Sequence, residues 1–150
     1  MKLKEERDKE KQLNRHTKAG KYRAENNAVR KVIMLGDAGV GKTSIVQRVL
    51  TNQFTRNVEP TIGNNTFDYN MAVTSTGKNM VLRIWDISGQ DQYMSLTTMY
   101  YRDIDAAIIC YDITDQKSFQ NLKKWFKQLK ENAPEAISIA LCGNKYDLKD

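Results

Sequence analysis

Apolar residues fall into short continuous runs in some parts of the chain and recur at helical spacing in others, which predicts an α/β fold. The run 106–111 is apolar throughout and 136–141 is apolar except for Ser138, and both are typical of strands buried on both faces of a sheet. The first helix is predicted to turn inward Ile45, Val46, Val49 and Leu50, and the second Phe119, Leu122, Phe126 and Leu129. Strands are predicted over 30–35, 67–74, 80–85, 106–111 and 136–141, and helices over 42–52 and 118–131.

The order of these elements predicts a mostly parallel sheet with helices on both faces and one antiparallel hairpin, which turns at 75–79. A loop with one helical turn is predicted over 86–98. Ligands of such sheets bind at the carboxyl ends of the strands. The residues at those ends are Gly36, Asp86, Asp112 and Gly143.

Charge separates the first 28 residues from the rest of the 150. They hold nine Lys/Arg against five Asp/Glu, whereas the other 122 hold 15 against 13. We predict a disordered charged extension over 1–28 and a partial folded domain over 29–150. The basic balance therefore comes from the extension and does not indicate a nucleic-acid-binding face.

Several other classes of protein are disfavoured by the sequence. It has no apolar run of eighteen residues and no signal peptide, because its N-terminus is charged throughout. Cys110 and Cys142 both lie in apolar runs, which favours free buried thiols over a disulfide or a metal site.

One segment fits G-x-x-x-x-G-K-[ST] in full, between a predicted strand and a predicted helix. A glycine-rich turn at a helix N-terminus directs backbone N–H groups and the positive end of the helix dipole at an anion. Lys42 is expected to reach terminal phosphates and Thr43 to offer its hydroxyl to Mg²⁺. The strand and helix on either side disfavour a chance glycine turn. The segment comprises Gly36, Asp37, Ala38, Gly39, Val40, Gly41, Lys42, Thr43 and Ser44.

Further candidates follow later strands. Asp86 ends a predicted strand, where a carboxylate helps to hold Mg²⁺. The N–H of Gly89 can approach a phosphate, and the neutral amide of Gln90 can orient water. The Asp147 carboxylate can accept the N1–H and N2–H₂ donors of guanine, a pair that adenine lacks. Asn144 can bond the ring, and the Lys145 stem can lie over it.

These motifs together resemble the Ras superfamily of small GTPases, over roughly residues 30–150. They are the segment Gly36–Ser44, Thr61 within 60–63, Asp86–Gln90 and Asn144–Asp147. Similarity is greatest to the Rab family, through Trp85, Tyr100-Tyr-Arg102, Tyr111-Asp-Ile-Thr-Asp115 and Ser118-Phe119. The sequence of residues 139–145 resembles that of Rab proteins of the endosomal branch.

The resemblance implies a Ras-like G domain of the P-loop NTPase class that binds GTP and GDP with Mg²⁺. It implies that Lys42 binds the β- and γ-phosphates and that Gln90 orients the attacking water. Thr43, Thr61 and Asp86 would hold the metal, Gly89 would contact the γ-phosphate, and Phe54 would pack on the guanine edge. Slow hydrolysis is expected without an activating partner.

Partners and location also follow from the resemblance. Exchange factors, GTPase-activating proteins and effectors would meet switch I, about 55–66, and switch II, about 87–99. Trp85 and Tyr100 would contact effectors; packing in the core is their alternative role. Thr66 stands where the family has an aromatic residue, and Phe67, one step along the strand, faces the other side. The implied setting is vesicle-mediated protein transport, in the cytoplasm and peripherally on endomembranes.

The main departure from the family is that the sequence stops shortly after Asn144–Asp147. A family member continues with a further strand, further helices and a lipidated C-terminus. We therefore expect an incomplete guanine pocket and an uncovered sheet face. Membrane attachment is expected only through a lipidated segment absent here. Two alternatives remain: a non-catalytic interaction platform, and a Ras- or Rho-type signalling GTPase. Asn144 and Asp147 disfavour an adenine-specific P-loop kinase.

Overall fold

A computed structural model describes residues 28–75, 77–90 and 98–149. Five strands lie in these ranges: β1 (Ala28–Leu35), β2 (Asn64–Val73), β3 (Lys78–Ile87), β4 (Ala106–Asp112) and β5 (Ser138–Asn144). Their helices are α1 (Lys42–Thr51), α2 (Gln116–Gln120) and α3 (Leu122–Asn132), with 3₁₀ turns at Thr98–Tyr100 and Tyr146–Leu148. Residues 1–27 of the charged extension and residues 91–97 of the loop predicted over 86–98 lie outside the described residues.

The strands form one sheet in the order β2-β3-β1-β4-β5, in which β4 is parallel to both β1 and β5. Leu35 at the end of β1 pairs with Ile109, and Asp112 at the end of β4 pairs with Asn144. The carboxyl ends of the three parallel strands therefore lie along one edge. The predicted Ras-like, mostly parallel fold is confirmed.

Alternate residues of the central strands face opposite sides of the sheet, and each side carries its own apolar cluster. The first cluster joins Ile33, Leu35, Ala107 and Ile109 to α3 through Leu122, Trp125 and Leu129. The second joins Met34, Ile84 and Cys110 to Val40 and to Val46 of α1. Helices thus pack on both faces of the central strands, as predicted.

Of the inward face predicted for the second helix, Leu122 and Leu129 are buried as expected, but Phe119 and Phe126 are not. Phe119 and Phe126 are 55% and 40% exposed, whereas Trp125, which the predicted stripe omitted, is 2% exposed. The helix is interrupted at Asn121, where the Lys124 N–H donates to the Asn121 carbonyl at 3.0 Å and the Trp125 N–H reaches it only at 3.5 Å. The buried residues Ser118, Leu122, Trp125 and Leu129 nevertheless recur at regular helical spacing, so the buried stripe and the predicted stripe have the same periodicity. In α1, Val49 is likewise more exposed than predicted, at 45%.

The prediction that the last strand is buried is also wrong. β5 is the outermost strand on its side of the described sheet, and Ile139 and Leu141 are 48% and 53% exposed. Both face the same side as Ala107 and Ile109, their partners in register. Apolar composition alone does not distinguish this edge strand from the central β4.

The pair Ile109 and Leu141 allows a matched test of this difference, because the two residues are register partners on one face. Ile109 is fully buried and Leu141 is 53% exposed. We expect Ile109→Ala to lower the free energy of unfolding by about 2–5 kcal/mol because it leaves a cavity. Leu141→Ala should cost less than about 1 kcal/mol, as at most surface sites. Urea unfolding of both variants measures this, and equal losses would contradict the exposure of β5.

The turn between β2 and β3 belongs to a second compact unit, which within the described residues comprises 28–29, 70–75 and 77–81. Its Gly77 N–H donates to the Val73 carbonyl at 2.9 Å, and Gly77 has φ 64°, a conformation that favours glycine. The remaining described residues form the first unit, which holds all the predicted site residues. Among the described helices, none is long and apolar enough to span a membrane.

Candidate functional site

A loop of six residues, 36–41, joins β1 to α1 and has the geometry of a phosphate cradle. Gly36 and Gly41 have φ values of 135° and 98°. A Cβ at Gly36 would overlap the Cys110 carbonyl, and one at Gly41 would overlap the Asn144 amide. Both positions therefore require glycine. Gly41 is the N-cap residue directly before α1.

Lys42 is the buried cation of this loop, with 6% of its surface exposed. Its Nζ donates to the Gly36 carbonyl at 2.7 Å and to the Asp37 carbonyl at 2.8 Å. Burial lowers its pKa, and the nearby Asp86 carboxylate partly opposes this shift. Because burial disfavours the charge of Lys42, an anion bound nearby would stabilise its protonated form.

Three oxygen-bearing side chains converge beside the lysine. Thr43 Oγ1 lies 2.7 Å from Thr61 Oγ1 and donates to Asp86 Oδ2 at 2.6 Å. Asp86 is fully buried, and its other oxygen, Oδ1, has no hydrogen-bond partner among the described residues. Burial raises the Asp86 pKa, although the Thr43 hydrogen bond and Lys42 counteract this.

This group of oxygens fits a hard divalent cation such as Mg²⁺. Hydroxyl and carboxylate oxygens are the ligands it prefers. A nearby cation would also compensate the unpaired buried oxygen of Asp86, which otherwise costs free energy. Thr61 lies in the irregular segment before β2, and the Ser88 N–H holds the end of that segment by donating to the Gly63 carbonyl at 2.9 Å.

At the other end of the loop lie the residues predicted to recognise guanine. Asn144 Nδ2 donates to the Val40 carbonyl at 2.9 Å, which joins the end of β5 to the phosphate loop. Lys145 has φ 63°, and its Nζ lies 2.6 Å from Asp112 Oδ2. Burial raises the pKa of Asp112, but hydrogen bonds from Lys145 and Thr114 outweigh it and leave the pKa lowered.

The structure brings Asn144 to the loop and pairs Lys145 with Asp112, but it leaves two other predicted residues on the surface. Phe54 is 65% exposed, and Asp147, in the 3₁₀ turn Tyr146–Leu148, is also exposed. Both are accessible to a base.

Gly89 lies directly against the phosphate loop, since a Cβ there would overlap the Asp37–Ala38 peptide. Gln90 is half-buried beside it. The rest of the predicted switch II, 91–97, falls outside the described residues. A cavity of about 510 Å³ opens here, lined by Asp37, Ala38, Gly89, Gln90, Asp115, Lys117, Asn121 and Lys124.

Trp85 and Tyr100 stack with ring centroids 4.9 Å apart and planes at 38°. Both are partly buried against the first apolar cluster, so core packing accounts for part of their surface. Phe67 packs against the second cluster, on the opposite face, and Thr66 is exposed. The one-residue step between Thr66 and Phe67 therefore has the predicted effect.

Sequence reasoning missed the supports of the site. The carboxylate of Asp37 accepts hydrogen bonds from Asn121 and Trp125 of the helical segment. Asp112 was noted only as a strand end, although it pairs with Lys145. No local pattern signals the Asp37 contacts, because their partners lie 84 and 88 residues away.

Comparison with known proteins adds to this geometry. Residues 31–150 match the Ras family. Rab-31 of Rattus norvegicus is 49% identical over 121 residues, which cover 80% of this chain and 60% of the relative. Rab-22A of Homo sapiens is 45% identical over 122 residues (80% and 61%), and the GTP-binding protein ypt5 of Schizosaccharomyces pombe is 44% identical over 118 residues (79% and 56%). The chain spans about three-fifths of the length of these curated relatives.

Proposed function

Because the chain belongs to the Ras family, we propose that it is a Rab-like molecular switch that binds GTP and GDP and hydrolyses GTP. The observation that carries this proposal is the buried Lys42 in a glycine loop beside the oxygens of Thr43, Thr61 and Asp86. The loop N–H groups and Lys42 would bind the phosphates. Asn144 joins this loop to the strand end that precedes Asp147, the proposed guanine ligand.

Hydrolysis of this kind depends on positioning and on charge neutralisation. Thr43, Thr61 and Asp86 would hold Mg²⁺, which when bound neutralises charge on the phosphates. Lys42 would hold the β- and γ-phosphates, and the neutral Gln90 amide would orient water. A partner's arginine could accelerate this slow reaction by about 10³–10⁵.

The switch would consist of two loops. Thr61 lies in an irregular segment and reaches Thr43 only through a hydroxyl contact, while Gly89 lies against the phosphate loop. A γ-phosphate would add contacts to both segments, and its loss would release them. Exchange factors, activating proteins and effectors would read these two states.

The proposed setting is vesicle-mediated transport on endomembranes. The relatives carry Rab names, and the resemblance of the β5 region to the endosomal branch supports that compartment. The stacked Trp85 and Tyr100 would form part of the effector surface, since both remain only partly buried. Membrane attachment would require a lipidated segment.

Binding of a fluorescent GDP analogue to the 150-residue chain tests the proposal. With Mg²⁺ present, we expect the analogue to bind and to be displaced by GDP but not by ADP, because adenine lacks the donor pair that Asp147 accepts. Binding should weaken when EDTA removes Mg²⁺. Equal displacement by ADP would contradict guanine recognition. Failure to bind any nucleotide would favour the non-catalytic interaction platform.

A further inference from the structure

The phosphate loop carries a carboxylate whose two oxygens are both held by the helical segment opposite it. Asn121 Nδ2 donates to Asp37 Oδ2 at 2.6 Å, and Trp125 Nε1 donates to Oδ1 at 2.8 Å. Hydrogen bonds to a charged acceptor are short and roughly twice as strong as neutral ones. Asp37 is therefore fixed by two strong contacts to a distant part of the chain.

A negative charge at this position opposes the binding of an anion, because like charges repel. Asp37 lies one residue into a loop that is built to hold phosphates, next to the peptide that Gly89 touches. Any favourable contribution of its side chain to nucleotide binding must come from its hydrogen bonds. Replacing Asp37 should therefore strengthen nucleotide binding if its charge dominates and weaken nucleotide binding if its hydrogen bonds dominate.

The helical partners of Asp37 are rigidly placed. Trp125 is 2% exposed and belongs to the first apolar cluster. Asn121 is half-buried at the junction of α2 and α3, four residues earlier, so both side chains project from one helix face. Asp37 is therefore tied to the core of the domain.

The backbone of the same residue contacts functional groups of the loop. The Asp37 carbonyl accepts from Lys42 Nζ at 2.8 Å. The Asp37–Ala38 peptide is also the surface against which Gly89 packs. A shift of the Asp37 side chain would consequently move the lysine and the contact with Gly89 together.

We propose that Asp37, Asn121 and Trp125 form a loop clamp in which Asp37 is a positioning residue that slows the release of bound nucleotide. The loop clamp fixes the loop from its helical side and so holds Lys42 and the N–H donors in register with the phosphates. The proposal rests on the proposed function, because nucleotide release is its main readout.

An exchange of the two partners tests the loop clamp. Asn121→Asp sets two carboxylates against each other, and we expect nucleotide to dissociate about tenfold faster or more, since small displacements of positioning groups have large effects. Adding Asp37→Asn restores an amide–carboxylate pair with the roles exchanged, and its amide oxygen can still accept from Trp125. The double variant should release the GDP analogue within about threefold of the unmodified chain, a strong non-additivity.

The single variant Asp37→Asn separates geometry from charge. It replaces the charged acceptor of the loop clamp with a neutral amide, which makes weaker hydrogen bonds, so the loop clamp predicts faster release. Loss of a repelling charge alone predicts slower release. Asp103→Asn removes the same charge from an exposed surface position and should leave release unchanged. Slower release from Asp37→Asn, or no rescue in the double variant, would overturn the proposal.

Two further measurements distinguish a local effect on the loop from a loss of overall stability. Melting temperatures compare overall stability, and faster release accompanied by an unchanged melting temperature is the expected result for Asn121→Asp. Hydrogen exchange of amides 36–41 measures the stability of the loop in the nucleotide-free chain. The exchange rate should rise in Asn121→Asp and fall back to that of the unmodified chain in the double variant. If the unmodified chain binds no nucleotide, the proposed function fails, and unchanged exchange in that case overturns the loop clamp as well.

Discussion

Replacing Asp147 with Asn is expected to abolish the preference of the site for guanine. A carboxylate accepts both the N1–H and the N2–H₂ of guanine, whereas an amide offers one acceptor and a mismatched donor. The variant loses at least one hydrogen bond to a charged group, worth about 1.5–3 kcal/mol, so GDP binding should weaken by at least about 10–10². Xanthine carries a carbonyl in place of the amino group of guanine, so xanthosine diphosphate should bind the variant better than the unmodified chain.

Competition of GDP and xanthosine diphosphate against a fluorescent analogue measures this reversal. Asp147 is exposed in its 3₁₀ turn, so the fold should be unaffected. Asp103→Asn, at another exposed aspartate, is the matched control. Unchanged discrimination between GDP and xanthosine diphosphate would mean that Asp147 does not contact the base.

Lys42→Met should remove nucleotide binding without unfolding the domain. The substitution keeps most of the buried stem and deletes two or more charge-assisted bonds to phosphate, a loss of about 10²–10⁴ in affinity. Burial disfavours the charge of Lys42 in the folded chain. Loss of the Nζ hydrogen bonds to the Gly36 and Asp37 carbonyls acts in the opposite direction, so the nucleotide-free variant should melt near the temperature of the unmodified chain. Lys127→Met, at an exposed lysine of α3, should change neither property.

The lowered pKa of Lys42 also fixes the sign of its pH dependence. Its folded pKa lies below the ordinary 10.5, so between the two values the unfolded chain binds more protons. Its contribution to stability therefore increases as pH rises through this window. Lys42→Met should remove that increase, and unfolding curves across the alkaline range compare the two chains. A steeper increase in the variant would contradict this interpretation.

The parallel sheet could be predicted because strands and helices alternate along the chain, and each element has its own periodicity. Burial within these elements was harder to predict. The apolar runs of β4 and β5 look alike in sequence, yet β4 lies between two strands and β5 lies at the sheet edge. Position in the sheet is set by tertiary pairing, which the composition of a strand does not encode.

The α3 error has a similar origin. The predicted stripe with Phe119 and Phe126 and the observed stripe with Ser118 and Trp125 share Leu122 and Leu129, and both have helical spacing. Trp125 occupies a buried position in which its indole N–H is paired with Asp37. A helical period alone does not distinguish these two stripes.

The candidate site was easier to locate than to explain. The glycines of the phosphate loop occupy backbone conformations that few other residues adopt, so their spacing identifies the loop. The contacts of Asp37 and of Asp112 depend on residues far along the chain or on an unusual φ, as at Lys145. Such supports become visible only when the strands and helices are assembled.

The hydrogen bond from Asn144 to the Val40 carbonyl joins the strand end proposed to hold the base to the loop proposed to hold the phosphates. The same amide lies so close to Gly41 that a methyl group there would collide with it. The proposed base-binding and phosphate-binding parts of the site are therefore mechanically coupled through Asn144. Guanosine and pyrophosphate offered as separate fragments should each bind poorly, because only the intact ligand contacts both parts of the site at once.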